Sequence, residues 1–242
     1  MTKITYLDGS GFAVVADDTI LVFDCFRDPV HALRKILKEN ESKPVVFFLS
    51  HNKHDHLHPD IFEIAQNHER VYVLSNQIPA QDVPSSLRVA GMSPNDAIED
   101  VYGCKRIKAF GRKDMELSFL VTTKSGVTIF HQGNLFPYGK EGKKEASNGE
   151  DIRKVQADFE SELFNVKEET QEIDIVMFPV DPSVETDFAK PATEFLKAVK
   201  VKNFIPMSFG ENHKEACLFS GYVPTPDTQC HCLSQVGDHV SI

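Results

Sequence analysis

Val45-Val46-Phe47-Phe48-Leu49 runs directly into Ser50-His51-Asn52-Lys53-His54-Asp55-His56-Leu57-His58. Five consecutive apolar residues are short enough for a strand buried on both faces, so the histidines that follow sit on a loop at its C-terminal end. Imidazole and carboxylate are the groups that ligate zinc and similar divalent ions. An isolated histidine is more often just a polar surface residue; four of them beside Asp55 in one loop make a candidate metal site.

Working outward from this loop, Ile4–Tyr6, Phe12–Ala16 and Ile20–Asp24 read as strands, the last two joined at Asp17, Asp18 and Thr19 by a hairpin turn. Pro29 suits a first helical turn, and Val30, Leu33, Ile36 and Leu37 then share one helical face. Beyond the histidine loop, Pro59 starts a second predicted helix with Ile61, Phe62 and Ala65 inward, and Val71–Ser75 is a strand. The next stretch shows no clear period. Leu117–Thr122 and Val127–His131 form a predicted hairpin around Lys124-Ser125-Gly126, and its second strand ends on another histidine. A polar, charged block from Gly139 to Glu172 carries Phe159, Leu163 and Phe164 on a helix near 150–169, read as a solvated helix and loop. Ile173–Phe178 and Asn203–Pro206 are strands, separated by a helix that starts at Pro191 with Ala192, Phe195, Leu196 and Val199 at helical spacing. Helices alternate with strands, yet hairpins occur in both halves. Two mixed sheets with outer helices fit this better than one parallel doubly wound sheet. No repeat or Gly/Ser-rich linker divides the chain, so residues 1–242 are expected to form one domain.

Composition narrows the function. With 242 residues, 41% of them hydrophobic, the chain can bury a core without staples. A net charge of -10 opposes general affinity for nucleic acid or an anionic membrane surface, and the expected partner is a small molecule. The apolar runs are far shorter than the roughly 20 residues of a membrane-spanning helix. Five widely spaced cysteines do not suggest a disulfide framework, and the opening residues lack the pattern of a secretion signal, so a reducing cytoplasm is the expected location. Nothing in the sequence speaks to oligomeric state.

Several segments together resemble the metallo-β-lactamase superfamily. Ser50–Leu57 is similar to its Ser/Thr-His-x-His-x-Asp-His signature, with His51, Asp55 and His56 matching and Lys53 in place of the second histidine. Phe130-His131-Gln132-Gly133-Asn134 resembles its His-x-Gly-Asp motif, with His131 kept and Asn134 in place of the aspartate that bridges two metals. Phe204–Phe209 resembles Pro-Met-His-Phe with Ser208 in the histidine's place; Ile4–Phe12 and Asp174–Pro182 resemble two further motifs, the first with Gly9 in place of a histidine. These segments keep the family's order from residue 4 to about residue 209. The branch they most resemble is that of bacterial metal-dependent hydrolases related to ascorbate-phosphate lactonases. The resemblance implies a four-layer αββα sandwich with metals held on loops at one edge of its two sheets.

In that family the metals lower the pKa of a bound water to about 7, giving a hydroxide that attacks an ester, lactone, amide or phosphodiester. By resemblance, one metal would use the positions of His51, Lys53 and His131, the other those of Asp55, His56 and Ser208, with Asn134 bridging. An ammonium has no lone pair for a metal, and neutral Ser208 and Asn134 are poorer ligands than imidazole and carboxylate. The expected cofactor is zinc or another divalent ion, at most one ion or none. Two arrangements stay open: Lys53 fills the vacated metal space in a salt bridge with Asp55, or one ion is held by His51 and His131 with Asp55 or His56, His54 being an auxiliary candidate. Two functions follow. One is a hydrolase of a small, phosphorylated or lactone-containing metabolite in which His51, His56 and His131 hold metal and Asp55 orients the water. The other is a non-catalytic binding protein in which Lys53, Asn134, Ser208 and the histidines hold an anionic ligand.

Weaker signals are read as structural. Cys25 and Cys104 are taken as packing residues and Cys230-His231-Cys232 as ordinary tail residues, since no second pair accompanies the two thiols. Ser208 lacks the Gly-x-Ser-x-Gly setting of a serine nucleophile.

Overall fold

The computed structural model describes residues 1–51, 59–111, 116–133, 149–183 and 188–242. Its strands are β1 (Lys3–Asp8), β2 (Gly11–Val15), β3 (Ile20–Phe23), β4 (Val45–Leu49), β5 (Arg70–Ser75), β6 (Val89–Met92), β7 (Ala97–Val101) and β8 (Cys104–Gly111). They continue as β9 (Leu117–Thr123), β10 (Thr128–His131), β11 (Glu172–Pro179), β12 (Lys200–Met207), β13 (Gln229–Cys230) and β14 (His239–Ser241). The α-helices among the described residues are α1 (Ala32–Glu39), α2 (Gly149–Glu169), α3 (Lys190–Ala198) and α4 (His213–Cys217).

The strands form two mixed sheets, ordered β14-β1-β2-β3-β4-β5-β6 and β13-β12-β11-β10-β9-β8-β7. In the first, β1 to β3 are antiparallel and β3 to β6 parallel. In the second, β7 to β10 are antiparallel and β10 to β12 parallel. Alternation along each strand divides the interior into three apolar layers, because successive side chains leave opposite faces of a sheet. On β4, Val46 and Phe48 enter the space between the sheets, where they join Phe119, Ile129, Met177 and Ile205 of the second sheet. Val45, Phe47 and Leu49 point the other way and pack with Leu33, Ile36 and Leu37 of α1. Beyond the second sheet, Phe130, Phe178 and Phe204 pack with Phe159 of α2 and Phe195 of α3. Helices, sheet, sheet and helices therefore stack as the four-layer αββα sandwich expected from the resemblance.

Three local expectations need correction. α1 begins at Ala32 rather than at Pro29, because the Asp28 carboxylate accepts the amides of Leu33 and Arg34 and so caps the first turn. Val30 then lies outside the helix and is 57% exposed. Pro59 opens a single 3-10 turn, Pro59–Phe62, although Ile61, Phe62 and Ala65 are buried as expected. The helix near 150–169 is no solvated excursion: Phe159, Glu162 and Val166 are buried against the second sheet, and of its expected apolar points only Phe164 faces out.

Cysteine pairing is a further correction. Cys217, at the end of α4, forms a disulfide with Cys232, so the tail thiols are not all ordinary residues. The pairing depends on α4 bringing Cys217 beside the tail, with Cα atoms 5.2 Å apart, and a spacing of 15 residues carries no trace of that. Cys25 and Cys104 are free and buried, and burial pushes both thiols up to about 12, so both are held as inert packing groups.

Candidate functional site

The ends of β3, β4, β10 and β12 meet the Asp8–Gly11 turn and the start of β9 at one edge of the sandwich. Two main-chain hydrogen bonds and one from a histidine ring stitch the sheets together there. Leu117 N–H donates to the Ser50 carbonyl at 3.0 Å and Ser208 N–H to the Gly9 carbonyl at 3.0 Å, while the His131 ring reaches the Ser10 carbonyl at 2.7 Å. His51, His131 and Ser208, far apart in sequence, are thereby gathered at this edge. Lys53, His54, Asp55, His56 and Asn134 lie outside the described residues, and so does the expected contact between Lys53 and Asp55.

His51 is buried at the end of β4 and is held from behind. Asp24, one residue past β3 and itself in a left-handed conformation (φ 39°), turns its carboxylate back onto Ser50. Ser50 N–H donates to Asp24 Oδ1 at 2.8 Å and Ser50 Oγ–H to Oδ2 at 2.7 Å. Ser50 Oγ is also 2.8 Å from His51 Nδ1. A hydroxyl has one proton, and the Asp24 carboxylate accepts it, so His51 Nδ1 is the donor toward Ser50 Oγ. Glu116 Oε2 lies 3.8 Å from the same Nδ1, so a second carboxyl stands behind the ring.

His131 is arranged oppositely. It is fully buried at the end of β10, stacked on Phe23 with centroids 5.0 Å apart. The Ser10 carbonyl can only accept, so Nε2 carries the proton, and Nδ1 accepts the Gly133 N–H at 3.1 Å. Both ring nitrogens are occupied by main chain. Burial pushes this imidazole below its ordinary pKa, against the raising pull of Asp24, whose Oδ2 is 3.9 Å from Nδ1, and of the Ser10 hydrogen bond. The ring stays neutral and clamps the two sheets; a metal could reach either nitrogen only by breaking one of these bonds.

Gly133 is part of the same clamp. Its φ of +66° suits glycine, and a Cβ there would meet the Leu117 carbonyl at 2.4 Å and Ser50 Cβ at 3.2 Å. Deeper in, Ser118 Oγ lies 2.8 Å from Glu162 Oε1 and 3.1 Å from the Gln132 carbonyl, so α2 delivers a buried carboxyl to this edge. Ser208, in the histidine's place, is half-buried and left-handed (φ 57°). Beside the site, a cavity of about 260 Å³ begins at Cys25, the residue after Asp24, and is lined by Phe26, Pro29, Ile61 and Ile64 together with Arg27 and Arg34. Arg27 is ion-paired with Asp8 and stacked on Phe26.

Sequence reasoning missed Asp24, Ser50, Glu116 and Glu162. Asp24 left a signal, a carboxylate closing an otherwise apolar strand, Ile20–Phe23, and Ser50 was visible only as a letter of the signature. Among the described residues no three His, Cys, Asp or Glu side chains converge as a metal site. Among the described residues in ligand positions, His131 has both nitrogens taken up by main chain and Ser208 is a neutral hydroxyl, so neither suits a metal as it stands; His51 is the remaining described imidazole in such a position.

No family model and no curated protein sequence matches the chain. Its fold does match solved structures. Igni18, a metallo hydrolase from the archaeon Ignicoccus hospitalis, superposes with a TM-score of 0.67 at 14% identity over 99% of this chain and 97% of its own. The metallo-β-lactamase fold protein YhfI from Bacillus subtilis gives 0.61 at 12% identity, covering 100% of both chains. CmlA, a diiron β-hydroxylase from Streptomyces venezuelae, gives 0.66 at 8% identity, covering 100% of this chain and 54% of its own. The chain therefore has the metallo-β-lactamase fold. One of these proteins is a metallo hydrolase and another a diiron β-hydroxylase, so likeness of fold does not decide the chemistry, which has to be argued from the site.

Proposed function

We propose that the chain is a hydrolase-type protein of the metallo-β-lactamase fold, a single domain over residues 1–242, whose pocket takes a small metabolite and whose metal binding is reduced to at most one divalent ion or lost. The observation that carries this reading is that His131, a ligand position by resemblance, has both ring nitrogens taken up by main chain. One zinc-type ion would be held by His51, with Asp55 and His56 as the expected co-ligands and His54 as auxiliary; its chemistry would be polarisation of a substrate oxygen or of water. Lys53, Asn134 and Ser208, in ligand positions, favour the second reading, a pocket that holds an anionic ligand without turnover.

Elemental analysis at neutral pH, before and after loading with zinc, tests the proposal. At most one equivalent is expected, lost in His51→Ala; two equivalents would sink it. Assay of the loaded protein against ester, lactone and phosphodiester panels separates the two readings: turnover marks the hydrolase, and saturable binding of an anion without turnover marks the binding protein.

Metabolite chemistry without nucleic acid or membrane agrees with the net charge of -10, and among the described residues no helix is long and apolar enough to cross a membrane. A cytoplasmic location agrees with the free thiols of Cys25, Cys104 and Cys230, whereas the Cys217–Cys232 disulfide is more usual in oxidising compartments.

A further inference from the structure

We propose that the Cys217–Cys232 disulfide is a thiol-exchange site for a dithiol, and that its redox state sets how firmly Ser208 and the Asp8–Gly11 turn are held at the site edge. Such control goes beyond the proposed hydrolase or binding activity and holds under either.

A closed circuit of bonds joins the disulfide to the site. Ser208 N–H donates to the Gly9 carbonyl at 3.0 Å, and the chain runs on from Ser208 through Phe209 into α4, which ends at Cys217. From Cys232 the tail returns to β1, where Gly237 N–H donates to the Tyr6 carbonyl and Tyr6 N–H to the Asp238 carbonyl, both at 2.9 Å. β1 then ends at Asp8, and the turn reaches Gly9, which completes the circuit. Packing fills its interior. The rings of Tyr6 and Phe209 lie 5.5 Å apart, and Ala216 and Leu233, the neighbours of the two cysteines, are buried in the same layer between the sheets. The disulfide is the covalent tie between the segment that leaves Ser208 and the tail that holds β1. The positions at the far end of the circuit need such a hold: Asp8, Gly9 and Ser208 have φ of 130°, 58° and 57°, a region that Asp and Ser seldom adopt unless neighbours impose it.

The bond is open to exchange, because Cys232 is exposed and Cys217 half-buried. A thiolate of the dithiol attacks Cys232 Sγ, breaking the S–S bond and expelling the Cys217 thiolate, which takes up a proton. The second thiol of the same molecule then attacks the mixed disulfide as its thiolate and releases Cys232, which is protonated in turn. Two electrons and two protons pass to the protein while the dithiol becomes a disulfide, and exchange with a disulfide oxidant reverses both steps. Cys230 packs in the apolar layer beyond the second sheet, apart from the reducible pair. In the oxidised chain the Ser208–Gly9 contact is backed covalently; in the reduced chain α4 and the tail are joined by packing alone, and the contact loosens.

The test compares the oxidised and reduced full chain by amide proton–nitrogen NMR, with alkylation and mass spectrometry counting thiols. Dithiothreitol under native conditions is expected to free the two paired thiols for alkylation, and a disulfide oxidant to close the bond again. In the folded protein the amides of Gly9 and Ser208 are expected to shift on reduction by more than a linewidth. Leu117, bonded to Ser50 at the same edge but outside the circuit, should stay in place. Cys217→Ser should give the reduced pattern in both conditions, and Cys230→Ser should keep the switch. A bond that dithiothreitol cannot open in the folded chain overturns the exchange site. Shifts confined to residues 212–234, with Gly9 and Ser208 unmoved, overturn the coupling to the site. Shifts spread equally to Leu117, or unfolding on reduction, mean general loosening and overturn it too. Wild type decides alone should Cys217→Ser not fold.

Discussion

At the scale of single residues, the site is decided by where protons sit. His131 has a depressed pKa because it is buried, and an unfolded chain returns it to about 6.5. Between the folded value and 6.5 the unfolded state binds more protons than the folded one. The stability that this neutral ring contributes is therefore complete above about pH 6.5 and is lost as the pH falls toward the folded value, at a slope of at most about 1.4 kcal/mol per pH unit. Urea midpoints measured from pH 7.5 to 5 are expected to fall less steeply in His131→Gln than in wild type. Equal slopes would mean that the ring is not held neutral. Gly133→Ala makes a complementary test of the clamp: its positive φ and the Leu117 carbonyl 2.4 Å from the new Cβ predict a loss of more than about 1 kcal/mol, read as a Tm lower by several degrees.

The same scale explains what could be read from sequence. His51 stood out because ligand-type residues crowd its own loop. The role of His131 could not be read, since its proton is placed by the Ser10 carbonyl, 121 residues away, and its other nitrogen is filled by an amide two residues on. Ser50 is one letter of a motif until the fold puts Asp24 behind it.

At the scale of elements, strands with alternating or continuous apolar character were legible: β1 to β5 and β9 to β12 fall close to where the pattern puts them. β6 to β8 were not. β6 and β7 are edge strands with half or more of their residues exposed, so Val89–Met92 and Ala97–Val101 show no buried face to read. The helix α2 was seen but underrated, because a mixed charged surface hides how much one face buries. Phe159 is 3% exposed among Phe130, Phe178 and Phe195, whereas Phe164, five residues on, is 61% exposed. Phe159→Ala is expected to cost about 3–5 kcal/mol and Phe164→Ala within about 0.5 kcal/mol, measured by denaturant unfolding. Similar losses at both positions would deny that α2 packs by its Phe159–Glu162–Val166 face, and with it the placement of Glu162 beside Ser118.

At the scale of the whole molecule, the chain closes on itself through its tail. β13 pairs with β12 at the edge of the second sheet, and β14 then crosses to the first sheet, where Lys3 faces Ser241 and Thr2 N–H donates to the Ile242 carbonyl. The Cys217–Cys232 disulfide sits between these two strands and ties the crossing segment to α4, which follows Ser208 and Phe209 out of the site. Closing 15 residues into a loop removes unfolded-state freedom worth about 3 kcal/mol. Cys232 is exposed and Cys217 half-buried, so a reductant can reach the bond without global unfolding. Wild type is therefore expected to unfold at a lower denaturant midpoint in reductant than without it. Cys217→Ser should sit at the reduced value in both conditions, and Cys230→Ser should keep the full difference, because Cys230 is a separate, half-buried thiol pushed up to about 11. A wild-type midpoint indifferent to reductant would show that the tail is held by β13 and β14 alone, and the free thiols would then speak for the reducing compartment without contradiction.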